Sequence, residues 1–302
     1  MRMHVNIIPN FHPKVKFVLV LQCCNNEKKL KKTSKYDIIK LLIAEAIDEK
    51  TYHKTGGIKL TDGTITKIPQ GYKMQKGVIY RISDGSSIQW IPIEPFLVSA
   101  QSQQKPKGFS DPDRIADNAL AKAKQKGGFL ITSFNLAKKK NSNEIVSRRG
   151  LCPLYNLDFF KAKQMAENFE PGRSYLPFGW QIDAINAWLI ESGAKEYSEV
   201  YENSSSWGNY ADARSLIIAS GMQTTGSQSL WQANGLWDWA GNVPEWTQEL
   251  FEDSVCGIQD ARVLRGGSFL DKGFEAPVGV RIAYSPWYAD GYNGCRAVID
   301  AE

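Results

Sequence analysis

The stretch Gly235-Leu-Trp-Asp-Trp-Ala-Gly-Asn-Val-Pro-Glu-Trp246 decides the fold of this chain. Its tryptophans stand among glycine, asparagine and proline, so large apolar side chains alternate with turn-forming residues. We expect Trp237, Trp239 and Trp246 to pack in a core and to hold irregular loops in place. A carbohydrate-stacking platform is the alternative. Two further blocks follow along the chain, Arg262-Val-Leu-Arg-Gly-Gly-Ser268 and Gly294-Cys-Arg296.

Composition excludes several classes of protein. The 302 residues are 42% hydrophobic and 11% aromatic, as in a folded globular chain. The net charge of +5 comes from residues 1–53, and the remainder is balanced, which argues against a nucleic-acid partner. The histidines are His4, His12 and His53, so the rest of the chain lacks an imidazole for a Ser-His-Asp triad or a zinc site. No apolar run is long enough to span a membrane.

Local patterns predict the elements. Residues 1–55 are predicted to form a small strand and helix appendage of unknown role, a candidate for oligomerisation or attachment. Residues 77–93 predict a hairpin with an Asp-Gly turn, and residues 128–135 a further strand. Two amphipathic helices are predicted over residues 156–169 and 178–192, the first starting at Asn156 or Asp158.

The three C-terminal blocks resemble the core of the formylglycine-generating enzyme and sulfatase-modifying-factor family, which has a C-type lectin fold. The resemblance covers about residues 60–302 and is specific only in these blocks. It implies an α+β fold with two helices, small antiparallel sheets and long irregular loops over residues 56–302. A C-terminal variable region would occupy about residues 269–296.

The resemblance also implies where catalytic cysteines would lie, shortly after Gly266-Gly-Ser-Phe269. Here Leu270 and Asp271 follow, and no cysteine occurs between Cys256 and Cys295. Oxidation through a thiol pair requires two sulfurs that can meet, so we expect a protein that is not an enzyme and requires no cofactor. Cys295 is expected to be a small buried apolar residue.

Family members that bind calcium imply a possible structural calcium here. Its ligands would be Asp238, Gly241, Val243 and Glu245, an oxygen-only set that suits this cation. The alternative is that Glu245 caps a turn and Asp238 accepts backbone N–H bonds. Arg265, Arg281 and Arg296 are expected to satisfy carbonyls and carboxylates inside the fold.

Regular and irregular stretches alternate between Phe269 and Asn293, and this resembles the variable proteins of diversity-generating retroelements. Those proteins change surface residues through adenine-directed mutagenesis, and leucine, aspartate, glycine, phenylalanine, alanine, proline, tyrosine and asparagine at the irregular positions can all arise from an Asn-type codon when its adenines change. Tyrosine, asparagine, aspartate and glycine also suit binding surfaces. The alternative is an idiosyncratic loop of a degenerate enzyme. The predicted ligand-binding residues are Leu270, Asp271, Gly273, Phe274, Ala276, Pro277, Gly279, Tyr284, Trp287, Tyr288, Asp290, Gly291, Tyr292 and Asn293.

The resulting hypothesis is a receptor-recognition protein of viral, prophage or microbial origin. Its partner would be a macromolecule, a protein or glycan on a cell surface, bound through Phe274, Trp287, Tyr288 and Tyr292. It would be made in the cytoplasm and displayed on a virion or cell surface, with homo-oligomers formed through the N-terminal segment. The other hypotheses are an oxidase of the formylglycine type and a structural virion component.

Overall fold

The structure is a computed structural model, and it describes residues 57–59, 65–75, 78–100, 105–213, 221–254, 258–289 and 291–300. These residues all fall within the unit Glu49–Glu302. The predicted appendage of residues 1–55 lies outside the described residues, as does the predicted site residue Asp290. None of the helices in the described part of the chain is both long enough and apolar enough to cross a bilayer.

Five α-helices occur among the described residues, where the sequence predicted two principal ones. The two predicted helices are present as α3 (Phe159–Phe169) and α4 (Gly179–Glu191). Asp158 begins α3 as predicted, because its Oδ1 accepts the backbone N–H of Lys161 at 2.8 Å. The helices are α1 (Glu94–Ala100), α2 (Asp113–Lys126), α3 (Phe159–Phe169), α4 (Gly179–Glu191) and α5 (Tyr197–Tyr201).

The larger sheet has six strands, and every neighbouring pair in it is antiparallel. The predicted hairpin is confirmed: its two strands are β4 (Val78–Arg81) and β5 (Ser87–Pro92). The strand predicted from Gly128 is β7 (Gly128–Thr132). Its strands, in spatial order, are β10 (Ser174–Tyr175), β16 (Val298–Ile299), β7 (Gly128–Thr132), β5 (Ser87–Pro92), β4 (Val78–Arg81) and β3 (Tyr72–Gln75).

A four-stranded antiparallel sheet holds the end of the first sequence block, the start of the second, and residues 282–284 of the C-terminal segment. Its spatial order is β15 (Ile282–Tyr284), β14 (Ile258–Arg265), β13 (Glu245–Asp253) and β6 (Phe109–Ser110). The remaining strands form two-stranded sheets. They are β1 (Gly57–Lys59) with β2 (Ile65–Lys67), β8 (Ala137–Lys138) with β9 (Ile145–Val146), and β11 (Gln232–Ala233) with β12 (Leu236–Trp237).

The middle strands of the six-stranded sheet are buried on both faces. Successive side chains of a strand point to opposite faces, and β7 shows this directly. Phe129 and Ile131 belong to the apolar cluster that includes Trp180 of α4. Leu130, between them, belongs to a second cluster with Trp246. A strand buried on both faces needs a continuous apolar run, which explains the Phe-Leu-Ile sequence of residues 129–131.

The tryptophan-rich block packs as expected. Trp231, Trp239 and Trp246 are buried, and Trp237 is partly buried with its ring stacked on that of Phe134 at 5.7 Å. The Trp246 Nε1 donates to the Leu157 carbonyl at 2.8 Å, so the polar atom of this ring is satisfied inside the core. The block therefore holds the loops that precede β13, and the core-packing interpretation is confirmed.

Together the two sheets, the flanking helices and the long loops form an α+β C-type lectin fold, as the sequence predicted. The C-terminal segment enters the four-stranded sheet at β15 and returns to the six-stranded sheet at β16. The irregular stretches before and after β15 therefore each run between two strands of the sheets.

Candidate functional site

The C-terminal segment, about residues 269–296, carries the predicted surface. It is flanked by two buried charged residues, Arg265 and Arg296. Arg296 is fully buried, and its Nε donates to Glu245 Oε1 at 2.6 Å. Its Nη1 donates to the Ser133 carbonyl at 2.8 Å, and its Nη2 donates to the Trp237 carbonyl. Arg296 thus joins β13, the end of β7 and the tryptophan-rich block, and its predicted structural role is confirmed.

Four further charged side chains form a closed network beneath the segment. Asp183 of α4 and Glu249 of β13 each pair with both Arg265 and Arg281. The Arg265 Nη2 to Asp183 Oδ1 distance is 2.9 Å, and the Arg281 Nε to Glu249 Oε1 distance is 2.8 Å. Burial lowers the pKa of Arg281, but Asp183 and Glu249 outweigh it and the net shift is upward. The network fixes the start of β15, as expected for these arginines.

One of the predicted calcium ligands, Glu245, already has a cationic partner. The Glu245 carboxylate pairs with Arg296 and also accepts a bond from Asn135 Nδ2 at 2.7 Å. A cation there would face a buried guanidinium, and removing that guanidinium from its partners is costly. Asp238 accepts the Gly226 backbone N–H at 2.7 Å, which is the alternative that the sequence left open. The other carboxylate oxygen of Asp238, Oδ1, is buried without a hydrogen-bond partner. The predicted ligands Gly241 and Val243 would contribute backbone carbonyls only.

Burial raises the pKa of Asp238 to about 6, and the Gly226 N–H, Arg296 and Arg149 oppose this shift. The pairing of Glu245 with Arg296, and not this shift, is therefore the observation that opposes calcium here.

We expect calcium to leave the stability of this protein unchanged. After treatment with a chelator, adding millimolar Ca²⁺ should not move the thermal midpoint, because Glu245 already has its cationic partner. Differential scanning calorimetry measures this directly. A rise of several degrees that Asp238→Asn abolishes would show that a calcium site forms after all.

The structure separates the predicted surface residues into exposed and buried groups. Leu270, Phe274, Tyr284 and Trp287 are exposed, Trp287 by 72%, and Gly291 is exposed as well. Asp271, Tyr288 and Tyr292 are partly buried. The remaining described members are buried, which corrects their predicted place on the surface: Gly273, Ala276, Pro277, Gly279 and Asn293.

Close packing against α5 and the loop after it explains why Gly273 and Gly279 are buried. A Cβ on Gly273 would lie 2.2 Å from the Ser205 backbone nitrogen. One on Gly279 would lie 2.2 Å from the Tyr201 ring. Their backbones also bond to this region, with the Gly279 N–H donating to the Val200 carbonyl at 2.9 Å. Both residues attach the segment to the framework and display no side chain.

Other members of the predicted surface anchor the segment through their backbones, and the partly buried Asp271 makes local hydrogen bonds. The Ala276 carbonyl accepts a bond from the Tyr210 hydroxyl at 3.1 Å, and the Asn293 carbonyl accepts the Leu157 N–H at 3.0 Å. Asp271 Oδ2 accepts bonds from both the backbone N–H and the hydroxyl of Ser268. Its carboxylate therefore closes the turn after Gly267.

The aromatic residues of the segment lie in pairs. Tyr284 and Tyr288 stack with ring centroids 4.2 Å apart and planes 8° apart. Trp287 lies 4.3 Å from Phe160 of α3, and Tyr292 makes an edge contact with Phe269 at 4.9 Å. Phe274 has its ring 5.5 Å from the Lys272 ammonium instead. The structure thus groups Tyr284 with Tyr288 and gives Trp287 a partner outside the predicted segment.

Sequence reasoning missed the residues that line a cavity of about 440 Å³ beside Trp287. One signal was available: Phe159 and Phe160 are adjacent at the start of a helix, so both cannot face the same core. Phe159 is buried and Phe160 is exposed. The cavity is lined by Phe160, Gln259, Asp260, Arg262, Ser285, Pro286 and Trp287.

The two cysteines in the described part of the chain show no sign of an activated thiol. Cys295 is fully buried, as expected, and burial raises the pKa of its thiol well above the ordinary range. Cys152 is exposed, and partial burial of its thiol also raises its pKa. A reactive cysteine requires the opposite shift.

The fold, the buried Arg296 and Glu245 pair, and the irregular surface segment define a domain of the C-type lectin class. The chain belongs to the sulfatase-modifying factor enzyme 1-like domain family, whose model matches residues 132–301. This match confirms the family resemblance that the three sequence blocks carry.

Solved structures with related folds share little sequence with this chain. Variable protein 1 of Treponema denticola is 16% identical with a TM-score of 0.39, covering 58% of this chain and 85% of its own. PvdO from Pseudomonas aeruginosa is 14% identical with a TM-score of 0.41, covering 58% and 81%. The Major Tropism Determinant U1 variant is 13% identical with a TM-score of 0.38, covering 71% of this chain and 56% of its own. No curated protein matches the chain.

Proposed function

We propose that this protein is a ligand-binding protein without catalytic activity, and that its C-terminal segment is a variable recognition surface. One observation carries the proposal: exposed side chains alternate with buried anchors along a single segment. Leu270, Phe274, Tyr284 and Trp287 face solvent, while Gly273 and Gly279 are packed against the framework. Side chains that do not support the fold are free to change with the ligand.

The partner under this proposal is a macromolecule on a cell surface, bound by exposed aromatic side chains on a rigid support. Large exposed apolar side chains on one segment mark interaction sites. The buried network of Arg265, Arg281, Asp183 and Glu249 holds the segment in one conformation. A prearranged surface loses less entropy on binding than a flexible loop does.

A display experiment tests this proposal. One library randomises the exposed residues Leu270, Phe274 and Tyr284, and a matched library randomises Ile82, Val98 and Leu230, which are more exposed still and lie outside the C-terminal segment. Both are selected against one purified globular protein on beads. We expect clones from the first library to gain at least about tenfold in affinity, about 1.4 kcal/mol, and clones from the second to gain none.

Equal enrichment from the two libraries, or none from the first, would contradict the proposed role of the segment.

An oxidase of the formylglycine type is the other candidate that the family suggests. It would bind copper and oxidise a cysteine-containing peptide with consumption of oxygen. We expect neither activity, because no cysteine follows Gly266-Gly-Ser-Phe269 before Cys295.

A further inference from the structure

The cavity beside Trp287 combines residues from three parts of the chain. Phe160 comes from the first turn of α3, Asp260 and Arg262 come from β14, and Trp287 follows β15. Its volume of about 440 Å³ lies in the range of small-ligand sites, roughly 300–1,000 Å³. Only Trp287 and the neighbouring Ser285 and Pro286 belong to the C-terminal segment, so most of the lining is framework.

The aromatic side of the cavity has an open ring face. Trp287 is 72% exposed, although tryptophan is among the side chains that gain most from burial. Its ring leans on Phe160 at 4.3 Å with a 42° angle between planes, and Phe160 is itself 44% exposed. The contact fixes the indole without covering it. A flat apolar surface of this kind can stack against the C–H face of a ligand ring.

The polar side of the cavity offers both hydrogen-bond donors and acceptors. Arg262 is held in place because its guanidinium lies 4.5 Å from the Phe159 ring and its Nη1 donates to the Gln248 carbonyl at 2.9 Å. Asp260 lies two residues away on the same strand and supplies an opposite charge. Gln259 and Ser285 can each donate and accept. A prearranged donor next to an acceptor selects a ligand with both kinds of group.

The two charges disfavour ligands that carry a single charge. An anion attracted by Arg262 would meet the Asp260 carboxylate, and a cation drawn to Asp260 and the indole would meet Arg262. A neutral ligand with hydroxyl groups on its edge and an apolar face meets neither difficulty.

We propose that this cavity binds a neutral sugar ring, with its C–H face on Trp287 and its hydroxyl groups on Asp260, Arg262, Gln259 and Ser285. The inference rests on the proposed function, because it takes this side of the molecule as the ligand-binding side. It narrows the partner from a protein or glycan to a glycan. It also extends the site to framework residues of α3 and β14.

An array of neutral and acidic oligosaccharides tests the inference, followed by titration of each hit by tryptophan fluorescence and isothermal calorimetry. The full chain is compared with Trp287→Ala, Asp260→Asn and the control Leu230→Ala, which removes an equally exposed apolar side chain elsewhere. We expect neutral sugars to bind, at least about tenfold weaker binding for the first two variants, and unchanged binding for the control. Matching thermal midpoints would show that all variants are folded.

Three results would overturn the inference: no neutral sugar binds, only acidic sugars or peptides bind, or binding survives Trp287→Ala. The display libraries leave Trp287 and Asp260 unchanged, so their outcome is independent of this one. Successful selection from the library at Leu270, Phe274 and Tyr284 without sugar binding would keep the proposed function and reject the sugar site. If the libraries failed and sugar binding were intact, the sugar site would be kept and the proposed variable surface rejected.

Discussion

Replacing Arg296 with alanine is expected to lower the free energy of unfolding by about 3–5 kcal/mol, the cost of breaking a buried ion pair from one side. The variant would leave the Glu245 carboxylate buried without its cationic partner. It would also remove the donors to the carbonyls of Thr132, Ser133 and Trp237. A loss of this size is a large part of the stability of an ordinary domain, so the variant should unfold at a much lower urea concentration than the parent.

Urea denaturation followed by circular dichroism measures this loss. The matched control is Lys122→Ala, which breaks the exposed pair of Lys122 and Asp300 at 2.8 Å. Exposed pairs contribute about 0–1 kcal/mol, so the control should unfold close to the parent midpoint. If Arg296→Ala unfolded at the same urea concentration as the control, Arg296 would not hold the three segments together.

Replacing Trp246 with alanine is expected to cost about 3–5 kcal/mol, because it empties the space of a fully buried indole. The ring makes an edge contact with Phe159 at 6.3 Å, and its Nε1 satisfies the Leu157 carbonyl. The strand β13 begins beside this ring, so the start of the four-stranded sheet should loosen as well.

The control for Trp246 is Trp287→Ala, which removes the same type of side chain from an exposed position. Its thermal midpoint should stay close to that of the parent, since exposed substitutions usually change stability by less than about 0.5 kcal/mol. Equal losses for the two variants would mean that Trp287 supports the fold and is not part of an exchangeable surface.

Elements governed by neighbouring residues could be predicted from the sequence. Asp158 caps α3 through a bond that spans three residues, and the Asp84-Gly85 turn joins β4 to β5. The pairing of Arg265 and Arg281 with carboxylates could also be anticipated, because a buried guanidinium requires such partners. These inferences needed a residue type and its immediate surroundings only.

Features that depend on distant contacts could not be predicted. Gly273 and Gly279 have the composition of an exposed loop, yet each is buried against residues about 70 to 80 positions earlier, Ser205 and Tyr201. The choice between calcium and an ion pair at Glu245 depends on where Arg296 lies. The cavity beside Trp287 is lined by residues of both α3 and β14. The sequence of neither element indicates that the two lie side by side.

The codon of Trp287 separates it from the other exposed residues of the segment. Tryptophan is encoded by a single codon ending in guanine, which an Asn-type codon cannot become by changes at its adenines alone. Under the proposed mechanism of variation, Trp287 would therefore need a template codon of another type, such as AAG, whereas Leu270, Phe274 and Tyr284 can each come from an Asn-type codon.

The DNA beside the coding sequence provides the most direct test of the central claim, that a fixed framework carries an exchangeable surface. Sequencing should find a reverse-transcriptase gene and a near-duplicate of the 3′ coding end. The two copies should differ only at adenines, in codons such as those of Leu270, Phe274 and Tyr284, and should agree at the buried Arg265 and Arg296. No duplicate, or one whose differences fall equally on the buried codons, would contradict the claim.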